Sequence, residues 1–195
     1  MIQIIDDFIS ADFQEEIKHT LLGHSFPWYF TEDITFGKSL VESQNLGQPH
    51  PAHAHLFCRN KKPTSNYFDL VLPLAHFGAS AANFKFNNVV QCRSFLQYPL
   101  SNDFLEKNID KLHIDLPYDH LVVLYYVIDS DGDTLIVDKV RKGNIEEYHH
   151  SAEDYKILQR VKPKQGRAVI FDGKYYHTAE QPSTNMRCII NFDIV

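Results

Sequence analysis

Two periodicities divide the chain. Near the N-terminus Phe13, Ile17 and Leu21 recur every four residues, which places them on one face of a helix. Ser10 stands where an N-cap is needed, Asp12 suits the positive end of the helix dipole, and Gly23 supplies a stop, so the spacing predicts a helix over 11–22. The preceding IQIIDDF (2–8) reads as a short strand. Residues 23–63, rich in Gly, Pro and Asn around the aromatic cluster FPWYF, read as irregular loops and short strands. TSNYFDLVLPLAHFGASAAN (64–83) predicts a second helix, in which Pro73 should act as a kink or an interruption.

Beyond it the texture changes. FNNVVQCRSFLQY, KLHID, HLVVLYYVI, DTLIVDK, RAVIFD and MRCIINFDIV are short β-branched and aromatic runs separated by turn residues. Helices followed by strands, with no helix long enough for regular βαβ crossovers, imply a mainly β (α+β) architecture. The expectation is an antiparallel sandwich or barrel carrying N-terminal helices. There is no internal repeat, low-complexity segment or linker, so 1–195 is expected to form a single domain.

Charge and cysteine content narrow the function classes. A net charge of −6 argues against broad phosphate-backbone binding, and the basic stretches RNKKP (59–63) and KVRKG (139–143) read as solvated loops. Cys58, Cys92 and Cys188 are odd in number, far apart and free of CxxC spacing, which argues for a reducing, cytoplasmic setting without disulfides or a structural zinc. No apolar run reaches the length of a membrane span, so no membrane partner is expected.

The chemistry concentrates in His113-Ile114-Asp115. In a strand, residues i and i+2 share a face, so the imidazole and carboxylate can converge while Ile114 packs behind them. Two such groups leave a metal site incomplete. A third ligand is offered by His177, which follows an apolar strand, and Arg187 lies ten residues further on. The intervening TAEQPSTN is turn chemistry. If it closes a hairpin, His177 and Arg187 face one another with Cβ atoms roughly 5 Å apart. Arginine suits the anchoring of an anion whose other end chelates a metal, because its fork binds a carboxylate in bidentate fashion and keeps its charge. Two histidines and one carboxylate on one face of a metal describe the facial triad of non-haem Fe(II) oxygen chemistry.

The ordered set His113-x-Asp115, His177, Arg187 resembles the 2-oxoglutarate- and Fe(II)-dependent dioxygenases, and among them the prolyl-4-hydroxylase-like branch. The likeness covers mainly residues 90–195, although IIDDFIS followed by a helix also resembles the way such chains open. LYYVID (124–129) resembles the branch's strand in which a tyrosine, here Tyr126, helps hold the distal carboxylate of 2-oxoglutarate. DGDTLIV (131–137) resembles its Gly-Gly-x-Thr/Leu segment and would bring Thr134 near the cosubstrate; PKQGRAVIFDGKYYH (163–177) resembles its Pro-x-x-Gly turn, strand and distal histidine. Asp131 departs from the first glycine of the pair, and Ile189 stands where another branch has a serine. Tyr98-Pro99 resembles a Tyr-Pro found upstream of HxD in some relatives, with a longer intervening segment here. Of Tyr125 and Tyr126, strand alternation turns one inward, and the resemblance selects Tyr126.

The resemblance implies a distorted double-stranded β-helix, or jelly roll, with helices on one outer face. It implies Fe(II) held by His113, Asp115 and His177, with 2-oxoglutarate gripped by Arg187 and Tyr126 beside Thr134. It further implies a dioxygenase that consumes dioxygen, releases succinate and carbon dioxide, and hydroxylates an unactivated C–H bond of a peptide or small molecule. A prolyl residue is the target the branch suggests. Segments 24–63, 99–110 and 138–160 would shape the substrate site, and Glu146, Glu147, Glu153 and Asp154 argue against a nucleic-acid substrate.

Other histidines read differently. HPAHAH (50–55), flanked by prolines and with no acid close in sequence, is expected as an exposed loop at the mouth of the site. His149-His150 read as surface and His120 as a strand edge or core rim. Two rival classes stay open: a cupin-like metal enzyme that does not use 2-oxoglutarate, and a non-catalytic jelly-roll binding module. Arg187 discriminates the first, since only a 2-oxo acid needs its anchor, and the complete triad argues against the second.

Overall fold

A computed structural model of the protein describes residues 1–34, 50–100, 109–142 and 155–195. In chain order the elements are β1 (Ile2–Ile5), α1 (Ala11–Leu21), β2 (Tyr29–Thr31), β3 (Ala52–Arg59), β4 (Lys62–Pro63) and α2 (Phe68–Ala81). They continue with β5 (Val89–Gln97), β6 (Leu121–Tyr126), β7 (Thr134–Val140), β8 (Ile157–Val161), β9 (Ala168–Asp172), β10 (Tyr175–Ala179) and β11 (Arg187–Ile194). The strands form two antiparallel sheets. The larger runs β1-β9-β6-β11-β5-β3-β2, with β4 beside β3, and the smaller runs β10-β7-β8.

Strand alternation builds two cores from one sheet. Along β6, Leu121, Val123 and Tyr125 face the helices, while Val122, Leu124 and Tyr126 face the interior between the sheets. Along β11, Cys188, Ile190, Phe192 and Ile194 join the helix-side core, leaving Arg187, Ile189, Asn191 and Asp193 for the interior. Ile17 and Leu21 of α1 and Val71, Leu74 and Ala75 of α2 complete the outer core. The two helices therefore cover one face of the large sheet, and the opposite face is free to line a cavity. Gly78 lets α2 approach β6 closely, because a Cβ there would stand 2.5 Å from Val123 Cγ2.

The local signals for the helices act as the sequence suggests. The Ser10 hydroxyl accepts from the Phe13 backbone N–H at 3.4 Å, and α1 ends at Leu21. Four expectations need correction. The opening strand stops at Ile5 because Asp7 takes a positive φ of 49°. The second helix is shorter than 64–83 and runs unbroken through Pro73, which sacrifices one early rung of the backbone ladder. KLHID is not a strand but a pair of bridge residues, Leu112 and His113, with a bend at Asp115. HPAHAH is not an exposed loop: it enters β3, paired to β5 on one side and β2 on the other, with His55 buried against Phe26 and Phe57. No helix among the described residues is long and apolar enough to cross a membrane. All three cysteines are free and buried.

Candidate metal centre

The site begins with backbone pairing. His113 and His177 form one antiparallel bridge, so their side chains leave the backbone on the same side, with ring centroids 4.6 Å apart. Each imidazole is oriented by a carbonyl, since His113 Nδ1 lies 2.8 Å from Lys111 O and His177 Nδ1 lies 3.3 Å from Tyr175 O. A carbonyl only accepts, so Nδ1 carries the proton and Nε2 presents a lone pair. Both Nε2 atoms point to Asp115, at 3.3 Å from Oδ2 for His177 and 3.9 Å from Oδ1 for His113. One ligand atom from each residue lies within 4.8 Å of the others. Burial, then the neighbouring His177, depress the His113 pKa to about 4, which keeps its imidazole in the neutral form a metal requires.

Asp115 is held from two further sides. Arg93 Nη2 donates to Oδ1 at 2.6 Å and Asn191 Nδ2 donates to Oδ2 at 3.2 Å. Burial would raise its pKa, but His177, Arg93 and His113 outweigh that and hold it well below the usual carboxylate range. Behind it, His120 and Asp193 form a second group with Asp115, their facing atoms 3.8 Å apart. That group is closed: both side chains are inaccessible, and burial followed by the charge of Asp115 pushes Asp193 well above its ordinary pKa. Sealed in the wall, that group offers a metal no open coordination position, so the open triad fits a metal better. His120 stands directly before β6, at the strand edge expected, with its side chain fully buried rather than at a rim.

A cavity of ≈ 240 Å³ runs from the triad to Arg187. Arg187 is 2% exposed, and among the described residues its guanidinium donates three hydrogen bonds, all to neutral acceptors: Nε to Gly132 O at 3.0 Å, Nη1 to Gln97 Oε1 at 2.8 Å, and Nη2 to Thr134 Oγ1 at 2.9 Å. No described carboxylate forms a salt bridge with it, which leaves a buried cation open to an incoming anion. Tyr126 reaches the cavity through Thr134, to whose hydroxyl it donates at 2.8 Å. Thr134 accepts from both neighbours and is left with its own proton to donate. Beyond Gln97, buried Asp110 is bonded to His50 Nδ1 at 2.6 Å and Gln181 Nε2 at 2.5 Å. The acid that HPAHAH lacks in sequence is therefore supplied to its first histidine by folding.

Arg187 and His177 do not form the expected hairpin. His177 lies on β10 of the small sheet and Arg187 on β11 of the large one, and the chain between them crosses from sheet to sheet. The Asp131 carboxylate organises that crossing, accepting from the backbone N–H groups of Ser183, Thr184 and Asn185 and from the Ser183 and Thr184 hydroxyls. The residue that breaks the Gly-Gly pattern is the clamp of this turn. Tyr98 lies outside the cavity, exposed and edge-on to His53. His149, His150, Glu146, Glu147, Glu153 and Asp154 fall outside the described residues.

Arg93, Asn191 and Gln97 went unnoticed in the sequence, although alternation held the clue. In VVQCRSFLQ the positions of Gln91, Arg93, Phe95 and Gln97 share one face, and in RCIINFDI those of Arg187, Asn191 and Asp193 do the same. Polar residues on the inward face of a buried strand mark a lined cavity.

No family model matches the sequence, and no curated protein matches it either. Solved structures do. A 2OG-Fe(II) oxygenase family oxidoreductase from Burkholderia pseudomallei matches with a TM-score of 0.67 and 11% identity, over 99% of this chain and 84% of that one. A prolyl hydroxylase from Trichoplax adhaerens, in complex with a hypoxia inducible factor peptide fragment, matches at 0.63 and 15% identity, over 99% and 82%. The non-haem alpha-ketoglutarate-dependent epimerase SnoN from nogalamycin biosynthesis matches at 0.65 and 11% identity, over 100% and 78%. At such identities the likeness establishes the fold: a distorted double-stranded β-helix, or jelly roll, as the strand pattern implies.

Proposed function

We propose that the protein is a 2-oxoglutarate- and Fe(II)-dependent dioxygenase that hydroxylates an unactivated C–H bond. One observation carries the reading: a single cavity has a facial triad at one end and, at the other, a buried guanidinium with no carboxylate partner among the described residues. His113 and His177 would hold the metal through Nε2 and Asp115 through a carboxylate oxygen. When bound, Fe(II) with 2-oxoglutarate and dioxygen supplies the oxidising power, releasing succinate and carbon dioxide.

The chain's own residues do the positioning. Arg187 has two N–H groups beyond its three internal bonds, and these can pair with the distal carboxylate of the cosubstrate. Thr134 adds a hydroxyl donor, and Tyr126 fixes that hydroxyl from behind. Leu124 and Ile189 wall the cavity with apolar side chains, which strengthens every charge interaction inside it. Arg93 and Asn191 hold the Asp115 carboxylate so that its ligating oxygen faces the two imidazoles.

A prolyl residue in a peptide is the target suggested by the resemblance in the sequence. One neighbour is bound to a peptide fragment and another to nogalamycin RO, so peptides and small molecules both belong to the reading. The net charge of −6 speaks against a nucleic acid, and the three buried free cysteines accord with a cytoplasmic setting.

Anaerobic visible spectroscopy tests the proposal. Addition of Fe(II) and then 2-oxoglutarate should produce a weak charge-transfer band that a His113→Ala variant lacks. Bound iron without a band would favour the cupin-like reading, and no iron binding would favour a non-catalytic module.

A further inference from the structure

The inward face of the large sheet does not end at the triad. Register places Ala54, Leu56 and Arg59 of β3 opposite Phe95, Arg93 and Gln91 of β5, and Tyr29 of the edge strand β2 opposite Ala54. A second cavity of ≈ 300 Å³ lies along this extension and shares Arg59, Gln91 and Arg93 with the metal cavity. The two spaces are therefore contiguous at a pair of arginines.

The charge there is one-sided. Among the described residues the second cavity is lined by two arginines and by no carboxylate. Arg93 commits Nη2 to Asp115 at 2.6 Å and faces Asp193 with it at 3.7 Å, while its Nε is buried without a hydrogen-bond partner. The Arg59 side chain, on an exposed residue, makes no hydrogen bond or ion pair among the described residues. His55, also in the wall, is occupied on both nitrogens by Pro27 O and Ser65 Oγ and does not compete. Beside the arginines the cavity wall is largely apolar: Ala54 and Leu56 make a floor, and Tyr29, 65% exposed, stands at its edge near His55. The Arg59 guanidinium, which has no ion pair among the described residues, and the unbonded Nε of Arg93 stand next to a bare aromatic surface and complement an anion with an apolar body.

We infer that this second cavity is the substrate site and that its ligand is a small organic anion, whose charged group pairs with Arg59 and Arg93 while its apolar body lies on Ala54 and Leu56 against Tyr29. The inference rests on the oxygenase reading for the chemistry that follows binding, not for binding itself.

Calorimetry and ligand-observed NMR on the full chain test it, with Fe(II) and saturating 2-oxoglutarate present anaerobically to fill the Arg187 end. The probes are phenylacetate and indole-3-acetate, beside the uncharged phenylacetamide, indole-3-acetamide and acetyl-Gly-Pro-Gly-amide. The acids should bind at least tenfold more tightly than their amides. Arg59→Gln should remove most of that preference, and Tyr29→Ala should weaken acid and amide alike. Equal binding of acids and amides, binding of neither, or a preference unchanged in Arg59→Gln would each overturn the inference, as would tighter binding of the prolyl peptide. Repeating the titrations without iron and 2-oxoglutarate separates the two readings. Acid binding through Arg59 without a charge-transfer band sinks the oxygenase proposal alone, whereas a band without acid binding sinks only this one.

Discussion

His113 and His177, far apart in sequence, exchange both backbone hydrogen bonds, His113 N to His177 O at 3.0 Å and His177 N to His113 O at 2.9 Å. This bridge sets the separation of the two imidazoles before any metal arrives. Alanine at either position should lower Fe(II) affinity by more than the roughly 10- to 100-fold that loss of a supporting residue costs. The backbone bridge does not need the imidazole, so thermal unfolding of the metal-free variants should stay close to the parent. Metal titration beside a circular-dichroism melt checks both halves.

Arg187 is buried with three neutral acceptors, so its replacement has two separable effects. Arg187→Lys keeps a charge but loses the fork, and each lost charge-assisted bond should cost about 1.5–3 kcal/mol, or roughly 10- to 100-fold in 2-oxoglutarate Kd. Iron binding should survive, because the triad lies at the other end of the cavity. Titration of the iron-loaded variant with 2-oxoglutarate decides the point; unchanged affinity would remove Arg187 from the anchor.

Tyr126 gives the protein an alkaline limb. Burial pushes its phenol up to about 12, above the ordinary value of 10.0. The folded chain therefore keeps a proton that the unfolded chain releases, and the stability present below pH 10 is lost as pH rises towards 12. The contribution is on the order of 2 kcal/mol. Tyr126→Phe should cost about 1 kcal/mol at neutral pH through the lost bond to Thr134, and should flatten the decline between pH 10 and 12. Urea unfolding across that range reads both effects.

At Gly78 two effects oppose one another. Alanine in a helix gains about 1 kcal/mol over glycine, but a Cβ at 2.5 Å from Val123 Cγ2 overpacks the α2–β6 interface at about 1–3 kcal/mol. Gly78→Ala should therefore be neutral to destabilising by about 2 kcal/mol. Adding Val123→Ala should make the same glycine replacement stabilising, a sign change that a double-mutant cycle detects.

Asp131 links a turn to the anchor, since the next residue supplies the carbonyl that holds Arg187 Nε. Burial would raise its carboxyl, but donors from Ser183, Asn185 and Thr184 hold it well below the usual 3.8. Its contribution is thus complete above pH 4 and is lost as pH falls below that value. Asp131→Asn should lower thermal stability at pH 7, weaken 2-oxoglutarate binding and leave a shallower acid limb. Equal acid limbs in parent and variant would contradict this account.

Much of the architecture was legible because alternation is a local property. Alternation along LVVLYY and RCIINFDI assigns neighbouring residues to opposite faces, so one of Tyr125 and Tyr126 had to turn inward; the resemblance pointed to Tyr126, which does line the interior core. The order His113, Asp115, His177, Arg187 likewise named one constellation, since ligand chemistry restricts residue type regardless of distance. Other features depend on which strands become neighbours, and local pattern carries no such information. TAEQPSTN looks like a hairpin but spans two sheets, because β10 finds its partner in β7 and β11 finds its own in β5 and β6. HPAHAH looks like a loop but becomes β3, because edges offered by β5 and β2 satisfy its backbone. The bond between His50 and Asp110, the grip of Arg93 on Asp115 and the contiguity of the two cavities arise in the same way. By itself the sequence determined which faces are apolar and which groups could bind a metal. Only tertiary structure decided which polar groups meet, because their partners lie tens of residues away and come within reach once non-local strand pairing has closed the chain.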